Sequence, residues 1–174
     1  MNSIEPYLRT IPDFPKPGVL FRDVTGILDS ADGIRLAVDS LQEKLSGLDF
    51  DRVAAPESRG FLFGMPLAYN LHKPFVAVRK PGKLPCATVS EAYDLEYGSA
   101  VLEMHRQAIR PGDRVVIFDD LLATGGTTGA IVRLIEALGG RVVKILFLIE
   151  LKGLNGRARL AGYDVESILA YDGA

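Results

Sequence analysis

Short runs of apolar residues alternate along this chain with longer stretches in which apolar residues recur every three or four positions. A continuous run such as 115–118 (VVIF) has the length of a buried parallel strand. The apolar residues between 131 and 138 recur at the spacing of a single helix face. Because such strands and helices follow one another in turn, the pattern predicts an α/β fold with a parallel sheet covered by helices on both faces.

The same pattern gives approximate bounds for each element. Strands are predicted at 52–56, 75–78, 114–119 and 142–149, and residues 99–104 alternate in part, as a strand at a sheet edge would. Helices are predicted at 34–45 with Asp32 as N-cap, at 60–71 with Ser58 as N-cap, and after residue 126. Residues 11–18 and 79–90 contain proline and glycine and are interpreted as loops.

The most informative segment joins the strand predicted at 114–119 to the helix after it. Its sequence, DDLLATGGTT, runs from Asp119 to Thr128. Open α/β sheets bind ligands at this position, where a strand ends and a helix begins. The free N–H groups and the dipole of the helix favour a phosphate there, and the three threonines add hydroxyl donors. Gly125 and Gly126 let the backbone wrap an anion without a Cβ in the way.

The two acids distinguish this segment from a simple phosphate loop, because carboxylates repel phosphate. Carboxylates accept hydrogen bonds from hydroxyls and can approach a metal ion, so Asp119 and Asp120 are interpreted as a ribose site beside the phosphate. The segment lacks the Gly-Lys-Ser/Thr of a Walker loop and the first G-x-G of a dinucleotide fingerprint. The alternative is an ordinary glycine turn in which both acids face solvent.

Two further segments carry charge that an anionic substrate would use. Glu57-Ser58-Arg59 follows a predicted strand and opens a helix, so Arg59 can offer a forked cation to a phosphate. The alternative is a capping serine between solvated charges. Residues 79–83 (RKPGK) place three cations in one loop. Taken alone, that loop is interpreted as a solvated basic loop, and the alternative is a movable lid over a charged site.

Composition narrows the classes of function. The 174 residues are 48% apolar and carry a net charge of −2, which predicts a single domain over 1–174 that needs no disulfide. The single cysteine, Cys86, cannot form an internal bridge and fits a reducing compartment. The sequence has no basic arm, no apolar stretch long enough to cross a bilayer and no signal-like start. We therefore expect a cytoplasmic protein without nucleic-acid or membrane partners.

The segment DDLLATGGTT resembles the signature with which type I phosphoribosyltransferases bind phosphoribosyl pyrophosphate (PRPP). Four other segments, in matching order, are similar to the adenine phosphoribosyltransferases of that family. They are FPKPGVLFRD at 14–23, ESRGF at 57–61, RKPGKLP at 79–85 and LEYG at 95–98. The resemblance runs from about residue 14 to residue 151, which is most of the chain.

That resemblance implies the type I phosphoribosyltransferase fold, a mostly parallel sheet of about five strands flanked by helices, with a small hood from the chain ends. It implies transfer of the 5-phosphoribosyl group from PRPP to adenine, which gives AMP and pyrophosphate in purine salvage. It also implies Mg²⁺ as cofactor, held mainly by PRPP, pyrophosphate and water rather than by side chains. Finally, it implies a homodimer.

The motifs and the resemblance together assign residues to each part of the substrates. The 5′-phosphate and ribose are assigned to Asp119, Asp120, Ala123, Thr124, Gly125, Gly126, Thr127 and Thr128. Pyrophosphate is assigned to Glu57, Ser58, Arg59, Arg79 and Lys83, and adenine to Leu20, Phe21, Arg22 and Leu151. Glu96 and Arg59 are the candidate catalytic residues, with Glu96 as an acid/base near the purine ring. The alternatives are a surface glutamate in a turn for Glu96 and ordinary core packing for Phe21 and Leu151.

Two other functions remain open. One is a purine phosphoribosyltransferase that uses hypoxanthine, guanine or xanthine. The other is a regulator that senses PRPP without catalysis. Such regulators usually carry an extra DNA-binding segment, for which the roughly ten residues before Ile11 are too short. Glu96 and the cations of residues 79–83 also favour catalysis.

Overall fold

The computed structural model describes residues 3–14, 16–94 and 98–173. In chain order its strands and α-helices are β1 (Arg9–Pro12), β2 (Leu20–Asp23), α1 (Ala31–Glu43), β3 (Arg52–Pro56), α2 (Arg59–Asn70), β4 (Phe75–Val78), β5 (Thr88–Asp94), β6 (Ser99–His105), β7 (Arg114–Leu122), α3 (Gly126–Ala137), β8 (Arg141–Leu151) and β9 (Val165–Tyr171). Short 3₁₀ helices lie at Glu5–Tyr7, Val24–Asp29, Lys152–Leu154 and Gly156–Leu160. No helix in these described ranges is long and apolar enough to cross a bilayer.

Five parallel strands form the central sheet, in the order β4-β3-β7-β8-β9. The middle strands are largely apolar because successive side chains point to opposite faces of the sheet, and helices cover both faces. Val116 and Phe118 of β7 pack in the core that contains α1 and α2. Val115 and Ile117 pack in the core that contains α3. The predicted α/β fold, with about five strands and helices on both faces, is therefore confirmed.

Two strands extend beyond their predicted ends, and a third strand was not predicted. β7 continues to Leu122 because β8 pairs with it as far as Glu150. The expectation that the strand ends at the two acids is therefore wrong, since both lie inside it. Leu151 is the last residue of β8 and is not beyond the last strand, because β9 follows. β9, VESILAY, was not predicted: its apolar run is confined to residues 168–171, and it is a half-buried strand at the edge of the sheet.

The helix starts differ from the predicted caps. The side chain of Ser30, not Asp32, caps α1 by accepting a hydrogen bond from the N–H of Gly33 at 3.2 Å. Asp32 lies in the first turn instead. Ser58 occupies the N-cap position of α2 as predicted, but its side chain makes no capping hydrogen bond. That hydroxyl is therefore not consumed by the helix.

Two antiparallel hairpins stand outside the central sheet. β1 and β2 form the first, near the chain start, and the other end of the chain reaches it. The Tyr171 ring lies against Arg22 of β2, and its hydroxyl donates a hydrogen bond to Glu5 at 3.1 Å, so the two chain ends meet at this hairpin, which we call the hood. β5 pairs with β6 in the second hairpin. Residues 11–12 and 88–90 thus belong to strands rather than to the predicted loops, because each pairs in a hairpin, and β6 pairs with β5 instead of extending the central sheet.

Candidate active site

The carboxyl ends of β3 and β7 lie side by side, and each leads into the amino end of a helix. At the β3–α2 junction (residues 57–59), Glu57 and Ser58 are joined by a cis peptide bond and α2 starts at Arg59. At the β7–α3 junction (residues 119–128), a loop over 123–125 leads into α3. Two helix amino ends that favour anions therefore open onto one edge of the sheet.

One ion pair joins the two junctions. Nε of Arg59 lies 2.7 Å from Oδ2 of Asp120. Asp119 is 9% exposed and Asp120 is 5% exposed, so the alternative in which both acids face solvent is wrong. Oδ1 of Asp119 accepts a hydrogen bond from the backbone N–H of Asp120 at 2.8 Å. The side chain of Arg59 remains 42% exposed, which leaves its other nitrogens open to a ligand.

Burial raises the pKa of both carboxyl groups. For Asp119 the charge of Asp120 adds to the effect of burial, and the pKa lies well above the usual range of an aspartate. For Asp120 the Arg59 guanidinium opposes the effect of burial. A ligand that brings hydroxyl donors or a cation would relieve this cost of burying charge. Within the described residues, no group of three or more His, Cys, Asp or Glu side chains is arranged to hold a metal ion.

The β7–α3 junction presents a loop shaped by backbone packing. Gly125 is the N-cap of α3 and has a φ of 78°, which L side chains rarely adopt. A Cβ at Gly125 would also lie 2.5 Å from the carbonyl oxygen of Gly156, so the loop has no room for a side chain here. Ala123, Thr124 and Thr127 are half-buried, whereas Gly125, Gly126 and Thr128 are buried. The first three therefore form the accessible rim of the loop.

The carboxylate of Glu57 faces the cationic loop 79–83. It accepts hydrogen bonds from the backbone N–H of Lys80 at 2.6 Å and from a guanidinium nitrogen of Arg79 at 3.2 Å. The Lys80 contact is the main reason that the pKa of Glu57 lies below its usual range. Glu57 therefore fixes the loop to the β3–α2 junction.

Arg79 anchors the start of that loop. Its backbone pairs with Glu103 of β6, and its guanidinium donates a hydrogen bond to the carbonyl oxygen of Lys83 at 3.1 Å. Glu103 also accepts a hydrogen bond from the N–H of Gly82 at 3.1 Å. Among the buried side-chain nitrogens and oxygens that the structure describes, Nε of Arg79 alone has no hydrogen-bond partner. The side chain of Lys83 is exposed, so the base of the loop is held while its far end faces solvent.

The residues assigned to adenine lie in two chain segments that meet at Tyr171. Leu20, Phe21 and Arg22 belong to β2, whereas Leu151 ends β8 directly opposite Tyr171 of β9. The Arg22 guanidinium lies 4.1 Å from the centre of the Tyr171 ring, a cation–π distance. Phe21 and Leu151 are half-buried, so neither is a fully enclosed core residue. Arg22 and Leu151 are therefore both neighbours of Tyr171.

Comparison with known proteins identifies the family. The phosphoribosyl transferase domain model matches residues 24–173. The adenine phosphoribosyltransferase of Agathobacter rectalis is 61% identical over 173 residues, which is 99% of each chain. The chain belongs to the adenine phosphoribosyltransferase family. The resemblance carried by the sequence motifs is thereby confirmed.

Solved structures of adenine phosphoribosyltransferases share the fold. The crystal structure from Thermoanaerobacter pseudethanolicus is 53% identical, has a TM-score of 0.93 and matches 97% of this chain and 98% of its own. A Saccharomyces cerevisiae adenine phosphoribosyltransferase, complexed with an imino-altritol bisphosphate and adenine, is 36% identical with a TM-score of 0.89, covering 95% of this chain and 96% of its own. The type I phosphoribosyltransferase fold expected from the motifs is thus confirmed.

The structure brings most of the predicted family residues to one edge of the sheet. The β3–α2 junction, the β7–α3 junction and loop 79–83 are linked there by the Arg59–Asp120 and Arg79–Glu57 ion pairs. Glu96, the candidate acid/base, lies outside the described residues. Its role therefore stays a prediction.

Several residues beside this edge were missed by the sequence reasoning. The Tyr93 hydroxyl on β5 lies 3.4 Å from Oγ1 of Thr127, and Nε of Arg133 on α3 lies 2.5 Å from a carboxylate oxygen of Glu91. These contacts dock the β5–β6 hairpin onto α3. A cavity of about 350 Å³ lies here, lined by Ala92, Tyr93, Gly125, Gly126, Gly129, Arg133 and Arg159. No local motif marked Tyr93 or Tyr171, because only the tertiary fold brings them to the site.

Proposed function

We propose that this chain transfers the 5-phosphoribosyl group of PRPP to adenine, giving AMP and pyrophosphate in purine salvage. The observation that carries the proposal is the ion pair between Arg59 and Asp120. It joins a junction suited to pyrophosphate with a junction suited to ribose 5-phosphate, as a substrate with a phosphate at each end requires. The full-length likeness to adenine phosphoribosyltransferases supports the same reaction.

The β7–α3 junction is proposed to hold ribose 5-phosphate. Backbone N–H groups of residues 123–128 and the hydroxyls of Thr124 and Thr127 would bind the 5′-phosphate at the amino end of α3. Asp119 and Asp120 would accept hydrogen bonds from the ribose hydroxyls. Each such bond also gives a hydrogen-bond donor to a buried carboxylate. Binding of the ribose would therefore reduce the free-energy cost of burying that charge.

The β3–α2 junction and loop 79–83 are proposed to hold pyrophosphate. Arg59 and Lys83 have exposed cationic groups, and Arg79 has a buried donor without a partner. The hydroxyl of Ser58 makes no helix cap and is available to the ligand. Glu57 carries the same charge sign as pyrophosphate, so its proposed role is to position Arg79 and Lys80.

Adenine is proposed to bind between the hood and the end of β8. Phe21 and Leu151 offer half-buried apolar surfaces of the kind that suit the two faces of a purine ring. Backbone groups of Leu20 and Arg22 would contact the edge of the base. Tyr171 holds Arg22 in place and joins the two sides of this space.

The chemistry follows from this arrangement of charge. The bond between the anomeric carbon and pyrophosphate breaks, and a purine nitrogen forms the new bond to that carbon. Asp119 and Asp120 would face the ribosyl cation as it develops, and the cations of the β3–α2 junction and loop 79–83 would stabilise the departing charge. Glu96 is the proposed acid/base for the purine nitrogen.

The proposed cofactor is Mg²⁺, which supplies charge neutralisation of pyrophosphate when it is bound. Two adjacent buried carboxyl groups share one guanidinium partner, and a nearby cation would favour their charged forms, so the residues present fit such a cation. Asp119 and Asp120 would accept hydrogen bonds from its waters, which leaves most of its coordination to the substrate.

A homodimer is proposed from the outer face of α2. Leu62, Met65 and Tyr69 are exposed there at a spacing of three and four residues, so they form one apolar stripe. A second copy of the chain would cover the stripe. Sedimentation equilibrium of Met65→Arg should give a monomer if this face is the interface, and an unchanged dimer would place the interface elsewhere.

A base-competition assay tests the proposed reaction. The enzyme receives equal adenine, hypoxanthine, guanine and xanthine with PRPP and Mg²⁺, and each nucleotide is quantified. We expect AMP to dominate, with the highest kcat/KM for adenine. A preference for an oxopurine would make the chain another purine phosphoribosyltransferase, and the absence of any nucleotide despite PRPP binding would favour a sensor.

A further inference from the structure

An ion pair between Glu150 and Arg157 lies close to the proposed phosphate and adenine sites without belonging to either. The side chain of Arg157 is 48% exposed, whereas its partner is buried. Glu150, the next-to-last residue of β8, is 4% exposed. Its two carboxylate oxygens accept hydrogen bonds from Nε and Nη2 of Arg157, each at 2.7 Å. The Ser167 hydroxyl donates a third hydrogen bond at 2.7 Å. Planar, two-pronged pairs of this kind fix orientation as well as distance, so the position of Arg157 is tightly determined.

Arg157 in turn fixes the backbone that supports the phosphate loop. The residue before it, Gly156, touches that loop backbone to backbone. A Cβ at Gly125 would lie 2.5 Å from the Gly156 carbonyl oxygen, and a Cβ at Gly156 would collide with the carbonyl oxygen of Ala123. Because no flexible side chain separates the two backbones, a displacement of Gly156 would also displace residues 123–125.

The other partner of the pair lies next to the proposed adenine site. Glu150 immediately precedes Leu151, whose backbone pairs with Tyr171. The hydrogen bonds from Arg157, the largest contribution, and from Ser167 hold the pKa of Glu150 below its usual range. Glu150 is therefore charged near neutral pH, and the ion pair persists under the conditions in which an enzyme of this class would work.

We propose that Glu150 and Arg157 are positioning residues that hold the phosphate loop and Leu151 in fixed relation. This inference rests on the proposed function, since it assumes that residues 123–128 bind the 5′-phosphate. The ion pair touches neither substrate. It acts through Gly156 on one side and through Leu151 on the other.

The test measures the affinity of the protein for two ligands that bind at different junctions. Ribose 5-phosphate probes the β7–α3 junction, and pyrophosphate with Mg²⁺ probes the β3–α2 junction; calorimetry gives the Kd of each. Arg157→Lys keeps the charge but loses the two-pronged geometry. We expect its Kd for ribose 5-phosphate and its KM for PRPP to rise about tenfold, since small displacements of binding groups carry large penalties. Its Kd for pyrophosphate and its kcat should change less than about twofold.

A matched control separates positioning from general loss of stability. Arg52 pairs with Asp113 at the opposite edge of the sheet, with both side chains mostly buried. Arg52→Lys should lower Tm without changing the Kd of ribose 5-phosphate. Ser167→Ala removes one of the three hydrogen bonds to Glu150 and should give a smaller change in the same direction as Arg157→Lys, which keeps the test decisive if the latter fails to fold.

Three results would overturn the inference. Unchanged affinity for ribose 5-phosphate in a folded Arg157→Lys or Ser167→Ala variant contradicts it. If the variants bind ribose 5-phosphate and pyrophosphate equally more weakly, the effect is a general structural one. The same conclusion follows if Arg52→Lys loses as much affinity for ribose 5-phosphate. If the wild-type protein binds pyrophosphate but not ribose 5-phosphate, the proposed assignment of the phosphate loop fails first, before any variant is compared.

Discussion

The β3–α2 and β7–α3 junctions occupy equivalent positions in the fold but carry side chains of opposite charge. Both follow a strand of the parallel sheet and open a helix whose amino end favours anions. The β3–α2 junction adds a half-exposed cation, Arg59, and is tied to the cationic loop 79–83. The β7–α3 junction adds two buried acids instead.

The difference teaches that a helix amino end does not by itself define what a junction binds. Cations around the β3–α2 junction strengthen its preference for anions, as a doubly charged leaving group would need. At the end of the β7–α3 junction where the two acids lie, their charge disfavours the binding of anions. It favours sugar hydroxyls or a developing positive charge instead. Arg59 reaches across to Asp120, so each junction partly balances the charge of the other.

Removing Arg59 should have the largest effect, because it breaks the connection between the junctions. Arg59→Met eliminates a proposed pyrophosphate ligand and leaves Asp120 without its cation. We expect kcat/KM for PRPP to fall about 10²–10³-fold, as for the loss of a preorganised electrostatic contact. Steady-state kinetics with Arg35→Met, which changes an exposed arginine of α1, provide the control. A wild-type kcat/KM in Arg59→Met would mean that the ion pair is only structural.

Neutralising the acids should have the next largest effect on activity. Asp119→Asn and Asp120→Asn each weaken hydrogen bonds from ribose hydroxyls to a charged group, worth about 1.5–3 kcal/mol. We expect kcat/KM to fall about tenfold to hundredfold. Asp39→Asn on the exposed face of α1 is the matched control. If both site variants keep wild-type kinetics while remaining folded, the acids do not handle PRPP.

The sequence predicts the β7–α3 junction better than it predicts the rest of the site, for a physical reason. Phosphate binding at a strand-to-helix turn is local, so DDLLATGGTT contains nearly all of its own chemistry. The ion pair of Arg59 with Asp120 spans 61 positions and depends on the adjacency of β3 and β7, which periodicity alone does not give. The contact of Tyr171 with Arg22 was missed because it arises only when the two ends of the chain meet, and β9 was missed because its short apolar run lies in a half-buried edge strand.

The two acids should also differ in their effect on stability. Burial raises the pKa of Asp119 in the folded state above its unfolded value, so the folded state binds a proton more tightly. Stability from that proton is present below the unfolded pKa, near 4, and is lost as pH rises through the folded pKa. Asp119→Asn should therefore raise Tm at pH 7 relative to wild type, and the gain should shrink toward pH 4.

The Asp120 variant sharpens this contrast, because Arg59 opposes the cost of burying Asp120. At pH 7, Asp120→Asn should raise Tm above that of the wild type by less than Asp119→Asn does, or should lower it. Differential scanning calorimetry without ligand measures both, and about 1 kcal/mol corresponds to roughly 2–4 °C for a chain of this size. A lower Tm for Asp119→Asn than for Asp120→Asn at pH 7 would contradict the assignment of the more costly carboxylate.

The smallest expected effect concerns loop 79–83, which is proposed to move and is tied to the β3–α2 junction by Glu57. Trypsin can cleave after Lys83 because this side chain is exposed and is followed by Leu84, whereas Pro81 protects the bond after Lys80. Pyrophosphate with Mg²⁺ should slow cleavage after Lys83 several-fold, because cations that bind the ligand become ordered with it. Cleavage after Lys44, on the far side of the molecule at the end of α1, is the internal control and should not change.

Ribose 5-phosphate, which engages the β7–α3 junction, should protect Lys83 less than pyrophosphate does. Equal protection by both ligands would mean that the loop responds to the whole site and is not specific to the β3–α2 junction, and no protection by either would contradict a closing lid.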